Sequence, residues 1–140
     1  AALLPALKFY AAHLPKLVLR AAVPSGAEPF TRELAGINRR SRRLGRSLMA
    51  ALAVFGPKLD RQQLVLGRLV EAAAELLAAS AAVARAVELR GALPVADVSE
   101  LDATVRHACV LAFEAVDERL RTLRHRSDAS GYSLAQRLAV

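Results

Sequence analysis

The fold is decided by residues 30–91, FTRELAGINRRSRRLGRSLMAALAVFGPKLDRQQLVLGRLVEAAAELLAASAAVARAVELRG, in which two long helical patterns follow one another. Between them, Gly56 suits the position after a helix end and Pro57 prevents the helix from continuing. The patterns predict one helix over residues 31–55 and a second from Leu59 or Asp60, the expected N-cap, to Arg90. The first has a single apolar stripe, formed by Leu34, Ile37, Leu44, Leu48, Leu52 and Phe55.

The second helical pattern is rich in alanine, which predicts a helix buried among its neighbours or at an interface. Methyl groups surround its second half, at Ala78, Ala79, Ala81, Ala82 and Ala84. Its charged residues form one polar strip, in which Arg68 and Glu75 lie two turns apart and Glu71 bridges them. The strip consists of Arg61, Arg68, Glu71 and Glu75.

A third helix is predicted to begin after the Ser99–Asp102 turn, which nearly matches a capping box, and to fray near Arg126. Its apolar face contains Leu101, Val105, Cys109, Ala112, Phe113, Val116, Leu120 and Leu123. Because the chain has no strand-like alternation and its connections are short, we predict an all-α, up-and-down bundle of three long helices. A short amphipathic N-terminal helical segment precedes the bundle. The predicted organisation is a lead segment and linker over 1–28, the bundle over 29–126 and a tail over 127–140.

The lead segment combines an apolar face with bases only, since no acid precedes Glu28. Such a pattern is typical of a helix lying on anionic lipid, but a short helix docked on its own protein shows it too and is the favoured interpretation. Both interpretations stay open, and Pro15 should kink the helix. The chain begins without Met, so we expect further sequence before Ala1. The membrane-facing candidates are Leu3, Leu7, Lys8, Tyr10, Leu14, Lys16, Leu17 and Arg20.

A band of arginine marks the first helix of a chain whose net charge is +7. The band is predicted to lie opposite the apolar stripe, with Arg40 at the flank, and to contact anionic lipid or acids of another protein. Nucleic acid is the less favoured partner, because the chain lacks helix-turn-helix spacing and aromatic stacking positions. The band contains Arg39, Arg40, Arg42, Arg43 and Arg46.

We predict no catalytic, cofactor or metal site in this chain. No glutamate has a histidine three residues later, as di-iron bundles require, and no glycine-rich phosphate loop is present. His13, His107 and His125 are scattered, with His107 on the solvent side of its helix. Cys109, the single cysteine, lies on a core stripe, where cysteine usually acts as a small hydrophobe.

Residues 55–72, continued to the Ala84-Arg85-Ala86 tripeptide, resemble the C-terminal extension of acyl-CoA dehydrogenases of the very-long-chain type. The resemblance covers residues 31–88 and weakens after Pro94; the lead segment looks like the stretch before this bundle in bacterial members. The chain departs from the family because the flavin-binding and substrate-binding domains are absent. The positions that match the family's pattern are Gly56, Gln63, Arg68, Leu69 and Arg85.

The resemblance implies a non-catalytic C-terminal domain of an FAD-dependent oxidoreductase of fatty-acid β-oxidation. That parent would be a homodimer that oxidises long-chain acyl-CoA and passes electrons to an electron-transfer flavoprotein. FAD would belong to the parent's catalytic body and not to this chain. The extension would pack on that body or on the dimer partner, and hold a cytoplasmic enzyme peripherally on the inner face of the membrane. The alternative is a self-standing helical interaction module whose basic face binds a protein or, less favoured, nucleic acid.

Overall fold

A computed structural model describes residues 28–123 and contains three long α-helices. They are α1, Thr31–Phe55; α2, Gln63–Arg90; and α3, Val95–Thr122, with a 3-10 helix, Gly56–Arg61, between α1 and α2. Residues 28–123 contain no strand, so the predicted all-α fold is confirmed. The predictions for the lead segment and for the C-terminal tail lie outside the described residues.

Side-chain pairs at the two ends of the bundle give the directions of the helices. Arg106 of α3 lies 3.9 Å from Glu33 near the start of α1, and Asp117 of α3 pairs with Arg40 further along α1. These two helices therefore run in the same direction. The end of α2 meets the start of α3 through Arg90 and Asp102, so these two run in opposite directions. The connectivity is up-down-up, as predicted.

The core is a continuous apolar layer between the three helices. α2 contributes a stripe of Leu69, Ala72, Leu76, Ala79, Val83 and Ala86, and α3 contributes Val105, Cys109, Ala112, Val116 and Leu120. These α3 residues all belong to its predicted apolar face. α1 buries fewer residues, Gly36, Ile37 and Ala51, and Leu48 of its predicted stripe is 40% exposed. Phe30, which the helical patterns did not include, is fully buried just before α1.

Gly36 of α1 lies against the Phe113 ring of α3. A Cβ atom at this position would lie 2.6 Å from Cε2 of Phe113, closer than atoms can pack. Glycine is therefore required by packing, at the cost of about 1 kcal/mol of helix propensity relative to alanine. The sequence pattern does not distinguish this residue from the other glycines.

The predicted start of the second helix is wrong by a few residues. α2 begins at Gln63, and Asp60 is an exposed residue of the preceding 3-10 helix, not an N-cap. The physical reason is Leu59, which is 6% exposed and anchors the connection in the core before α2 starts. Gly56 ends α1 with a φ of 51°, as its predicted role after the helix end requires.

The predicted start of the third helix is also wrong. α3 begins at Val95, so Ser99 and its near capping box lie within the helix. Pro94 precedes the helix, and its carbonyl oxygen accepts hydrogen bonds from the amides of Asp97 and Val98. The fixed φ of proline suits a helix start.

α2 is not buried on most sides within the described bundle. Its side facing away from the core is exposed, with Val70 at 65% and Leu77 at 71%. The polar strip on α2 contacts α3. Glu71 and Glu75 lie 2.8 and 3.6 Å from guanidinium nitrogens of Arg119 on α3, and Arg68 donates to the carbonyl oxygen of Thr122.

Candidate functional site

The five arginines of the predicted band divide between two surfaces of α1. Arg40 lies in the seam between α1 and α3, where its Nε and Nη2 donate to Oδ2 of Asp117 at 3.1 and 2.6 Å. Its guanidinium also stacks on the ring of Phe113, 4.1 Å from the ring centroid. Since only 16% of the Arg40 side chain is exposed, it is a structural part of the seam.

Arg43 lies at the outer edge of the same seam. Its Nη1 donates to Oδ1 of Asp117 at 2.9 Å, so one carboxylate holds two guanidinium groups. Arg43 was predicted to lie opposite the apolar stripe, and the structure instead directs it toward α3. A helical wheel of α1 alone does not show on which side α3 packs, so the sequence did not reveal this partner.

The remaining arginines of the band, Arg39, Arg42 and Arg46, form the outer face of α1. They are spaced by three and four residues and therefore share one side of the helix. Arg39 and Arg46 are exposed and Arg42 is half-buried. Each lacks an ion pair or side-chain hydrogen bond with the rest of residues 28–123.

Arg32 extends this face toward the start of α1. It is exposed and lies seven residues before Arg39, a spacing that returns to the same side of a helix. The sequence analysis missed Arg32, although the heptad spacing Arg32, Arg39, Arg46 was visible. From Arg32 to Arg46 the face is about 21 Å long, at 1.5 Å per residue.

Acidic residues do not balance this outer face. Glu33 is the single acid of α1, and its side chain is 14% exposed and directed toward Arg106 of α3. The outer face therefore presents four guanidinium groups with no carboxylate from its own helix. The outer face of α1 is therefore basic from Arg32 to Arg46.

The five positions that carry the family resemblance have mixed structural roles. Leu69 is in the core, Gly56 ends α1, and Arg68 joins α2 to the end of α3. Gln63 is the exposed first residue of α2. Arg85 is exposed and pairs at 2.9 Å with Glu88 one turn later. These positions support the bundle and do not converge on one site.

Reactive groups in the described part of the chain are inert or isolated. Burial, and secondarily the charge of Glu33, raises the pKa of the Cys109 thiol, which keeps it protonated at neutral pH. His107 is exposed, as predicted. Residues 28–123 contain no group of three or more potential metal-ligating side chains.

A search of helices α1 to α3 for membrane spans gives no candidate. None of them combines the length and the hydropathy that crossing a bilayer requires.

Comparisons with known proteins give one partial similarity. The chain is 40% identical over 91 residues to the probable acyl-CoA dehydrogenase FadE10 of Mycobacterium bovis and to that of Mycobacterium tuberculosis. The match covers 62% of this chain and 14% of each relative, so it concerns a short part of a much longer protein. No family model and no solved structure matches the chain. The helical segment thus resembles part of an acyl-CoA dehydrogenase.

Proposed function

We propose that this chain is a non-catalytic, C-terminal helical part of an FAD-dependent long-chain acyl-CoA dehydrogenase. Its role in that enzyme is to hold the catalytic body at an anionic membrane surface through the outer face of α1, formed by Arg32, Arg39, Arg42 and Arg46. FAD, the acyl-CoA substrate and the electron-transfer flavoprotein are bound by the parent outside this chain.

The observation that carries the surface role is that the four arginines on the outer face of α1 make no ion pair with the other residues of the described range 28–123. By contrast, Arg43, Arg85 and Arg119 are paired with carboxylates, whereas exposed Arg61 of the 3-10 helix makes no ion pair within residues 28–123. A row of unpaired guanidinium groups attracts phosphate headgroups within about one Debye length, which is roughly 8 Å at physiological salt.

The enzyme assignment is supported by the partial similarity to the two mycobacterial relatives. Packing on the catalytic body or on the partner subunit belongs to the same proposal. The lead segment would add a second membrane contact if its apolar face is not docked on the bundle.

The experiment is sedimentation of the full 140-residue chain with vesicles of anionic and of neutral lipid across a salt series. We expect binding to anionic vesicles that weakens as salt rises, and little binding to neutral vesicles. Double-stranded DNA at the same phosphate concentration serves as a competitor. Binding to neither kind of vesicle would leave only the packing role, and stronger binding to DNA would support the nucleic-acid alternative.

A further inference from the structure

The helices α1 and α3 end at different levels of the bundle. Arg40 of α1 and Asp117 of α3 lie at one level, because they are paired. Beyond this level α3 continues only through residues 118–122, whereas α1 continues through residues 41–55. At 1.5 Å per residue these lengths are about 8 and 23 Å, so α1 projects about 15 Å beyond the end of α3.

The start of α2 also projects past the end of α3. Arg68 donates to the carbonyl oxygen of Thr122, the last residue of α3, so residues 63–67 of α2 lie beyond that end. The last turns of the described bundle therefore consist of two helices instead of three, and α3 leaves one side of both uncovered.

The side that α3 leaves uncovered carries aliphatic side chains. Val54 lies eighteen residues after Gly36, which is five whole helical turns, and Gly36 is the residue of α1 that packs against α3. Val54 therefore lies on the α3 side of α1, and it is 75% exposed. Leu64 lies seven residues before Glu71, which pairs with α3, and it is 47% exposed. We call the surface formed by Val54 and Leu64 the end shelf.

The apolar stripe of α3 does not extend over the end shelf. This stripe is buried as far as Leu120 and continues in the half-buried Leu123. The next positions of the same stripe are Ser127 and Ser130. A direct continuation of α3 would place two hydroxyl groups against aliphatic side chains, and burying a hydroxyl without a partner is unfavourable. The end shelf therefore suits another, apolar segment.

The C-terminal tail contains such a segment. Residues 127–131 have the composition of a turn, and residues 132–140 contain a single charged residue. Within them, Ser133 and Gln136 match the capping box, which predicts the start of a helix. Two leucines four residues apart would lie on the same side of that helix. They are Leu134 and Leu138.

The place where the described chain ends identifies the tail as the occupant. The described range ends at Leu123, where the end shelf begins. Residues 124–131 can span about 26 Å when extended, which is enough to turn back over a shelf about 15 Å deep. The lead segment instead joins the bundle at the start of α1, where Thr31 lies about 35 Å from Val54 along the helix.

We propose that the end shelf binds the C-terminal tail of the same chain, with Leu134 and Leu138 packed on Val54 and Leu64. The tail closes the open end of the bundle as a short fourth helical element. This contact uses a different side of α1 from the outer face, so it holds whether or not the chain binds vesicles.

The first test measures how fast a thiol on the end shelf reacts in the full chain. Val54→Cys should react several-fold more slowly with a water-soluble aromatic disulfide than Val95→Cys, an exposed position at the other end of the bundle. Cys109 is buried, so the natural chain gives the background rate. Adding Leu134→Ser and Leu138→Ser should raise the rate at position 54 several-fold and leave the rate at position 95 unchanged. An unchanged rate at position 54 would overturn the proposal.

The same reaction distinguishes the tail from other occupants of the end shelf. If Leu7→Ser and Leu14→Ser raise the rate of Val54→Cys and the tail substitutions do not, the lead segment covers the shelf. If protection at position 54 increases with protein concentration, a second copy of the chain covers it. Either result would overturn the proposal.

The second test is urea unfolding of the full chain. Val54→Ser and Leu64→Ser should each lower the midpoint more than Val110→Ser on α3, which is 49% exposed. The described bundle alone gives the opposite order for the two valines, because Val54 is the more exposed. In a chain that already carries Leu134→Ser and Leu138→Ser, the shelf substitutions should have little further effect, because the same contact is already lost. Fully additive losses, or losses no larger than that of Val110→Ser, would contradict the proposal.

Discussion

Arg39 and Arg40 are neighbours in the chain but belong to different surfaces. Arg40 is mostly buried in the seam between α1 and α3, paired with Asp117 and stacked on Phe113. Arg39 is exposed on the outer face and has no partner among residues 28–123. The difference shows that a run of arginines is not one functional unit. A carboxylate on a neighbouring helix turns some of them into structural residues and leaves the rest for an outside partner.

The largest effect on the α1–α3 seam is expected from Gly36→Leu. The added side chain cannot fit beside Phe113, and overpacking of this kind costs about 1 to 3 kcal/mol of unfolding free energy. The melting temperature of the chain should fall by about 4 to 8 °C for each kcal/mol of unfolding free energy lost, as in other domains of about 100 residues.

The matched control is Gly67→Leu. A Cβ atom at Gly67 meets nothing, so stability should be unchanged or slightly higher. Similar losses for the two variants would show that the contact between Gly36 and Phe113 does not limit packing.

Arg40→Gln should destabilise the fold and Arg39→Gln should not. Loss of the charged hydrogen bonds to Asp117 and of the ring contact with Phe113 should cost about 1 to 2 kcal/mol. The exposed Arg39 side chain should change the unfolding free energy by less than about 0.5 kcal/mol. Urea unfolding of both variants measures the difference. Equal midpoints would contradict the division into two surfaces.

Asp117→Asn should change stability and surface binding in opposite directions. Removing the carboxylate that holds Arg40 and Arg43 should cost about 1 kcal/mol of stability. It should also raise affinity for anionic vesicles up to about fivefold, because a negative charge is lost and Arg43 is released. Glu114→Gln, which removes an exposed acid of α3, is the charge-matched control. Identical gains in the two variants would mean that net charge alone decides binding.

The smallest change in vesicle binding is expected from substitutions in the lead segment, which lies outside the described residues. Replacing Leu7, Tyr10 and Leu14 by Ser should reduce binding to vesicles with little change in helix content by circular dichroism. If binding is unchanged, the arginine face acts alone and the lead segment leaves the membrane proposal. If helix content and stability fall instead, the segment docks on its own protein.

The spacing of apolar residues predicted the three helices and the connectivity, because burial of one stripe per helix dominates the energetics of a bundle. Sequence periodicity placed α1 correctly, from Thr31 to Phe55. It misplaced the starts of α2 and α3, because buried Leu59 and the helix-starting role of Pro94 depend on tertiary packing and on local turn geometry. Helix starts carry weaker signals than stripes.

The candidate site was predictable in part. The basic character of α1 follows from composition, yet the pairing of Arg40 and Arg43 with Asp117 joins residues more than seventy positions apart. The sequence also did not predict that one side of α2 is exposed, because alanine suits both a buried helix and an outer one. Which arginines are paired, and which side of α2 is exposed, depends on where α3 packs against α1 and α2.

The most direct test of the proposed surface role compares two variants of equal net charge in binding to anionic vesicles. One carries Arg39→Gln, Arg42→Gln and Arg46→Gln on the outer face of α1. The other carries Arg61→Gln, Arg85→Gln and Arg121→Gln, exposed positions outside that face. With about 1 kcal/mol for each basic group, the first should bind roughly a hundredfold more weakly than the natural chain and the second nearly normally. Equal losses in both variants, with both folded, would contradict the proposal that the outer face of α1 is the membrane contact.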